Sequence, residues 1–302
     1  MSTESSLRAD IVEIGRRMYA RGYTASNDGN ISVRLDRDRL LMTPKGVCKG
    51  FLTPDMMCVT DLDGRKLQGD RDPSSEILMH LEVYRQRPDV HAVVHAHPPI
   101  ATGFAVAGIP LDRAVLAEVL TTLGSVPIAE YATPSTKELP EAVRKYIRAH
   151  DGMLLANHGA LTVGGDVYSA YYKMETVEHF AKISLVARLL GRENLISREE
   201  VIRLQALRGT YGIQAPAPLC DPSTPTTPLG VGASTSLGIG AAAPGDPATC
   251  QVVQAPPGAG LRLVPDLLDG DYPPVRPGNE AEIRLTYREL SALIEDAIRS
   301  LR

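Results

Sequence analysis

From Gln214 to Gly260 the chain carries no aromatic residue and no Lys or Arg, and Ala, Pro, Gly, Ser and Thr dominate it. Such a tract cannot bury enough apolar surface to offset its ordering entropy. It therefore confines the folded domain to residues 1–214 and makes residues 215–278 a flexible linker, partly stiffened by proline. Leu261–Leu268 is a small apolar island within it. Residues 279–302 then read as an amphipathic helix. Asn279 and Glu282 form a capping-box-like start, and Ile283, Tyr287, Leu290, Ile294, Ala297 and Leu301 share one stripe. That stripe needs a surface, and the tether before it suggests a surface on another protein. Packing on the chain's own oligomer, or a coiled coil, is the alternative.

The rest of the composition narrows the class. A formal charge of -4 offers no basic footprint, so no nucleic-acid partner is expected. No apolar run approaches a membrane span, and the start MSTESSLRAD lacks the apolar core of a signal peptide. Cys48, Cys58, Cys220 and Cys250 form no C-x-x-C pair, which fits a reducing compartment and bystander thiols. A soluble cytoplasmic protein without a membrane partner is expected. With no Trp and three Phe, its core must rest on aliphatic side chains.

Along residues 1–214, Ser6 is placed to cap a helix carrying Leu7, Ile11, Ile14 and Met18 and ending near Gly22. Ser26–Asn30 is a turn leading into an alternating strand at Ile31–Leu35, and Leu40–Thr43 is a short strand stopping at Pro44-Lys45-Gly46. These two turns offer backbone N–H groups, an amide and a cation, the donors a phosphate wants, although plain hairpin turns look the same. Met57–Thr60 is a further strand. Pro73-Ser74-Ser75-Glu76 opens a helix that Ser74 or Ser75 caps, with Glu76 in its first turn. Two hydroxyls at that helix start also suit an anion. A helix at Ile100–Val106, a strand at Val126–Ala129 and a helix at Lys137–Ala149 follow. A strand pair at Met153–Val163 turns at His158-Gly159, and helices are expected at Asp166–Leu190 and Arg198–Leu207.

Val90–His97 alternates, with His91, Val93, His95 and His97 on one face. Two adjacent imidazoles, with a carboxylate and a third imidazole elsewhere, form a set that zinc can use. A core strand that happens to contain histidines is the other reading. Three histidines exceed what a metal needs from one strand, and His91 is taken as the bystander. His80, one helical turn after Glu76, can either join a site or hydrogen-bond on a packed helix face.

Together the motifs Gly29-Asn30-Ile31-Ser32, Thr43-Pro44-Lys45-Gly46, Ser74-Ser75-Glu76, His95-Ala96-His97, Asn157-His158-Gly159 and Thr210-Tyr211-Gly212 identify a resemblance. Each is weak alone, but in this order they resemble the class II, zinc-dependent aldolases of the L-fuculose-1-phosphate aldolase type. That superfamily also holds L-ribulose-5-phosphate 4-epimerase and the adducin head domain. The resemblance implies an α/β fold of three layers, with a central, mainly antiparallel sheet between helices. It also implies a fourfold homotetramer with active sites between subunits. It assigns one zinc per subunit to His95, His97 and His158, with Glu76 as fourth ligand in the resting enzyme. Phosphate would sit among Asn27, Gly29, Asn30, Lys45, Gly46, Ser74 and Ser75.

The implied reaction is retro-aldol cleavage of a ketose 1-phosphate, L-fuculose 1-phosphate or L-rhamnulose 1-phosphate, to dihydroxyacetone phosphate and L-lactaldehyde. Glu76 would carry the proton for the dihydroxyacetone phosphate half, and Tyr211 would close over the site from a neighbouring subunit. Where the family has a tyrosine acid for the aldehyde half, this chain has Leu116; either Glu118 nearby or a tyrosine elsewhere takes that role, or the aldehyde specificity differs. An epimerase that retains and flips the aldehyde is the nearest alternative, and an adducin-like module with a dead site a more distant one. The linker and terminal helix resemble the encapsulation peptides that direct enzymes to shell proteins of bacterial microcompartments, which makes shell proteins an expected partner.

Overall fold

The computed structural model describes residues 3–210 together with Ile213. Helix α1 spans Glu4–Ala20 and buries Ile11, Ile14 and Met18 along one stripe. Strands β1 (Asn30–Arg34), β2 (Arg39–Met42), β3 (Cys58–Asp61) and β4 (Lys66–Gln68) form a meander, and α2 (Ile77–Gln86) leads into β5 (Ala92–Ala96). Then come α3 (Pro99–Ala107), α4 (Ala117–Thr122), β6 (Ile128–Ala129) and α5 (Glu138–Ile147). The hairpin β7 (Gly152–Leu155) and β8 (Gly159–Gly164) precedes α6 (Val167–Leu189) and α7 (Arg198–Thr210).

Among the described residues the strands make one sheet, ordered β4-β3-β2-β1-β5-β8-β7-β6. All neighbours are antiparallel except β6 with β7. Period-2 alternation sorts the side chains into two cores. Ile31, Val33, Leu41, Val94 and Ala160 pack towards α1, α3 and α6, whereas Leu40, Val93, Leu161 and Val163 pack towards α2 and α5. The result is the expected three-layer α-β-α arrangement. Its centre is β5, flanked by β1 and β8 and buried along its whole length.

Local details depart from the sequence reading. Thr3, not Ser6, caps α1, its hydroxyl accepting the Ser6 N–H at 3.2 Å. Neither Ser74 nor Ser75 caps α2. Glu76 itself stands at that N-cap, without a capping side-chain bond, because its carboxylate is drawn elsewhere. Two elements were not anticipated: α4, a six-residue helix, and β4, an edge strand exposed at every position. Tyr211, the linker at residues 215–278 and the helix expected over residues 279–302 lie outside the described residues, as does the boundary at residue 214.

Candidate active site

The central strand delivers the first two histidines. His95 lies opposite Asn30 on β1 and Leu161 on β8, and it is fully buried. His97 follows the strand end, where its backbone N–H donates to the Tyr23 carbonyl at 2.8 Å. The third histidine comes from the β7–β8 turn, in which Asn157 adopts a left-handed φ of 55° and the His158 N–H donates to the Leu155 carbonyl. That turn can approach β5 only because residue 159 is glycine. A Cβ there would stand 2.5 Å from the Ala96 carbonyl oxygen and 2.6 Å from His97 Cδ2. Gly29 solves the same problem on the other flank, with φ +72° and space for no Cβ against the His95 carbonyl, 2.8 Å away.

The three imidazoles form a nearly equilateral triangle, with ring centroids 5.0, 4.7 and 5.0 Å apart and rings steeply tilted to one another. One ligand atom from each lies within 4.8 Å of the others. His95 Nδ1 donates to the Ala160 carbonyl at 2.9 Å, which leaves its Nε2 a bare lone pair. His97 Nδ1 faces the Asp28 carboxylate at 3.4 Å and needs its proton there. The two Nε2 atoms are nevertheless 3.2 Å apart. Glu76 completes the cage, with Oε2 3.3 Å from His95 Nε2 and Oε1 3.1 Å from His158 Nε2. Oε1 is buried and without a hydrogen-bond partner of adequate geometry. Converging lone pairs and an orphaned carboxylate oxygen are a donor set that a divalent cation fits. Burial alone would raise the Glu76 carboxyl, but His95, His158 and the Asn30 amide outweigh it and hold the group well below the usual carboxylate range. Burial pushes the His95 and His97 imidazoles down.

Three turns meet beside this cage. Lys45 N–H donates to Asp72 O and Ser74 N–H to Thr43 O, which ties the Thr43–Gly46 turn to the start of α2. Asn27, Lys45, Gly46 and Ser75 are exposed at the rim, whereas Gly29 and Ser74 are buried. Asn30 departs from the rest of the expected phosphate set. Its buried side chain is spent on Glu76 and His80, so it faces the carboxylate and not the rim. Sequence reasoning missed Lys49. Its ammonium, 2% exposed, donates to the Asn27 carbonyl at 2.8 Å and the Val47 carbonyl at 2.6 Å, bracing two of the turns. A lysine set among Val47, Cys48, Gly50 and Phe51 was the available signal. His91 is exposed and apart from the triangle, whereas His80 is fully buried beneath it.

Glu118 is exposed in the first turn of α4. With Leu116, Tyr23, Arg21, Glu178 and His179 it lines a cleft of about 920 Å³. Among the described residues no hydrogen bond or ion pair joins its carboxylate to the histidines. No described helix is long and apolar enough to cross a membrane.

Comparison with known proteins agrees with this arrangement. A 3-oxo-tetronate 4-phosphate decarboxylase of Pectobacterium atrosepticum is 33% identical over 62% of this chain and 87% of its own length. An L-fuculose phosphate aldolase of Methanococcus maripaludis is 33% identical over 59% of this chain and 95% of its own. A solved L-fuculose 1-phosphate aldolase superposes with a TM-score of 0.63 at 32% identity, covering 68% of this chain and 97% of that one. Residues 9–185 match the family described as Class II Aldolase and Adducin N-terminal domain. With its sheet, its turns and its triangle of histidines, the chain belongs to the class II aldolase and adducin family and is similar to its fuculose phosphate aldolases.

Proposed function

We propose that this protein cleaves a carbon–carbon bond in a ketose 1-phosphate, with L-fuculose 1-phosphate or L-rhamnulose 1-phosphate as leading substrates. The products are dihydroxyacetone phosphate and L-lactaldehyde. The observation that carries this reading is the position of Glu76, an ionised carboxylate among three convergent imidazoles at the foot of a three-turn cradle. His95, His97 and His158 would hold one zinc per subunit, with Glu76 as fourth ligand at rest. When bound, that zinc supplies a Lewis acid for the negative charge left on the dihydroxyacetone phosphate half. Asn27, Gly29, Gly46, Ser74 and Ser75 hold the phosphate, with Lys45 at the rim and Lys49 as a buried cation beneath. As the bond breaks, its electron pair stays on the phosphate-bearing half, and Glu76, ionised at rest, takes up a proton from solvent and passes it to that carbon. The hydroxyl of the departing half loses its proton and becomes the aldehyde. Glu118, in the cleft shared with Tyr23, is the candidate to accept it, and Tyr211 of a neighbouring subunit in a homotetramer would cover the site.

Leu116 favours a second reading. It carries no group for proton transfer on the departing half, and a decarboxylation needs none, because carbon dioxide leaves without one. A 3-oxo-tetronate 4-phosphate would then give the same charge on the same half and the same proton delivery by Glu76. Incubating the zinc-loaded protein with a panel of both substrate types separates these readings, with dihydroxyacetone phosphate, free aldehyde and carbon dioxide each quantified. Equimolar aldehyde supports the aldolase, and equimolar carbon dioxide the decarboxylase. An inverted sugar without fragments points to the epimerase, and no turnover of any substrate refutes all three. Residues 279–302 would direct the enzyme to microcompartment shell proteins. Fused to a fluorescent reporter and co-expressed with shell proteins, they should give puncta, and diffuse fluorescence counts against targeting.

A further inference from the structure

Behind Glu76, on the face of β1 turned to α2, four more polar side chains form an unbroken hydrogen-bonded row. Tyr84 Oη lies 2.9 Å from Ser32 Oγ, and Ser32 Oγ lies 2.6 Å from His80 Nδ1. His80 Nε2 lies 2.5 Å from Asn30 Oδ1, and Asn30 Nδ2 lies 2.7 Å from Glu76 Oε2. All four are buried, Ser32 and His80 completely.

Chemistry fixes the direction of every bond. A carboxylate only accepts, so the Asn30 amide nitrogen must face Glu76 and its oxygen must face His80. His80 Nε2 therefore carries the proton, Nδ1 accepts from the Ser32 hydroxyl, and Ser32 in turn accepts from Tyr84. Burial pushes the His80 imidazole down to about 4, so the ring is neutral and its single proton has one place to be. Each donor points along the row towards Glu76. Geometry makes the row feasible, because two residues of strand advance about 6.6 Å and four residues of helix about 6 Å. Asn30 and Ser32 thus keep step with Glu76, His80 and Tyr84. Apolar residues at all these places would pack α2 on the sheet at little or no loss, so stability does not require the row. What distinguishes it is its end: it anchors Oε2 through the Asn30 amide, while Oε1 faces His158 Nε2 at 3.1 Å.

We propose that Tyr84, Ser32 and His80 are positioning residues acting through Asn30. They hold the Glu76 carboxylate by one oxygen and so fix the direction of the other, which meets the triangle of imidazoles where the reaction would take place. This rests on the reading of Glu76 as proton carrier. The row itself can be tested without turnover. In metal-free protein labelled with 15N-histidine, His80 should show a single Nε2–H tautomer, which Ser32→Ala should keep and Asn30→Ala should turn into a mixture. With zinc and substrate, Ser32→Ala should lower kcat roughly tenfold with KM and zinc content unchanged. Ser32→Thr should recover most of the loss, and Tyr84→Phe, one bond further away, should lose less. Tyr84→Phe decides the matter if Ser32→Ala does not fold. An Nδ1–H tautomer, or folded variants with wild-type kcat, overturns the proposal. A wild-type protein inert to every substrate, yet with the single tautomer, overturns the functional reading and with it the catalytic half of this one.

Discussion

Glu76 is held by an amide on one oxygen and faces imidazoles with both, so its charge is stabilised without being neutralised. Replacing it with Gln keeps the shape and removes the proposed proton carrier. Glu76→Gln should cost about 10² to 10⁴ in kcat with little change in KM, read from steady-state release of dihydroxyacetone phosphate. Lys49 supplies the pH dependence. Burial pushes its ammonium down to about 8, against the smaller opposing pull of Cys48, Asp28 and Glu76. Below that pH the amine is a cation beneath the turns proposed to hold phosphate, and as pH rises through about 8 the charge is lost. KM for a phosphorylated substrate should therefore climb above pH 8, and inhibition by inorganic phosphate should weaken in parallel. Flat profiles across pH 7 to 9 would remove Lys49 from the cradle. The histidines could be read from spacing, because two imidazoles on alternate strand positions must share a face. Lys49 left only its apolar neighbours as a signal, because no local rule shows that a lysine after a turn will fold inwards onto two carbonyls.

Among the elements, β5 carries the site, and its two flanks are kept close by the absence of a side chain at residues 29 and 159. Gly159→Ala would place a methyl against the Ala96 carbonyl and the His97 ring. A loss of roughly 1–3 kcal/mol is expected, seen as a lower Tm, together with reduced zinc stoichiometry because His158 is pushed out of the triangle. The strands β1, β2, β3, β5 and β8 were legible within a residue or two, β1 and β5 through their alternation. The departures have local causes. At α2 the carboxylate that would have stabilised the helix end turns to the imidazoles, a tertiary demand that overrides the local one. At α4 the helix is one turn and a half, and it closes on Thr121 and Thr122, whose hydroxyls bond back to the Glu118 carbonyl. Neither length nor propensity announces such an element.

For the whole molecule, the buried histidines set the acid limit. The His80 imidazole titrates at about 4 in the folded protein against its ordinary 6.5, because burial disfavours the charged ring. The unfolded chain therefore takes up the proton first. This contribution to stability is complete above pH 6.5 and is lost as pH falls towards 4, by on the order of 3 kcal/mol. Urea midpoints at pH 7 and pH 4.5 should show the drop, and His80→Gln should flatten it. The three-layer plan followed from the sequence through its family motifs more than through its periodicity, which is silent on strand order. The substrate was less legible, because the residues proposed to choose it, half-buried Leu116 and exposed Glu118, lie at the start of a short helix where sequence patterns carry little information. The pairing of β5 with β1 on one edge and β8 on the other has a temporal consequence. A chain still emerging from the ribosome, short of Gly164, already carries His95 and His97 but has no β8 to close the triangle. Any metal that the triangle takes up must then follow long-range strand pairing, which would make metal loading a late checkpoint of synthesis.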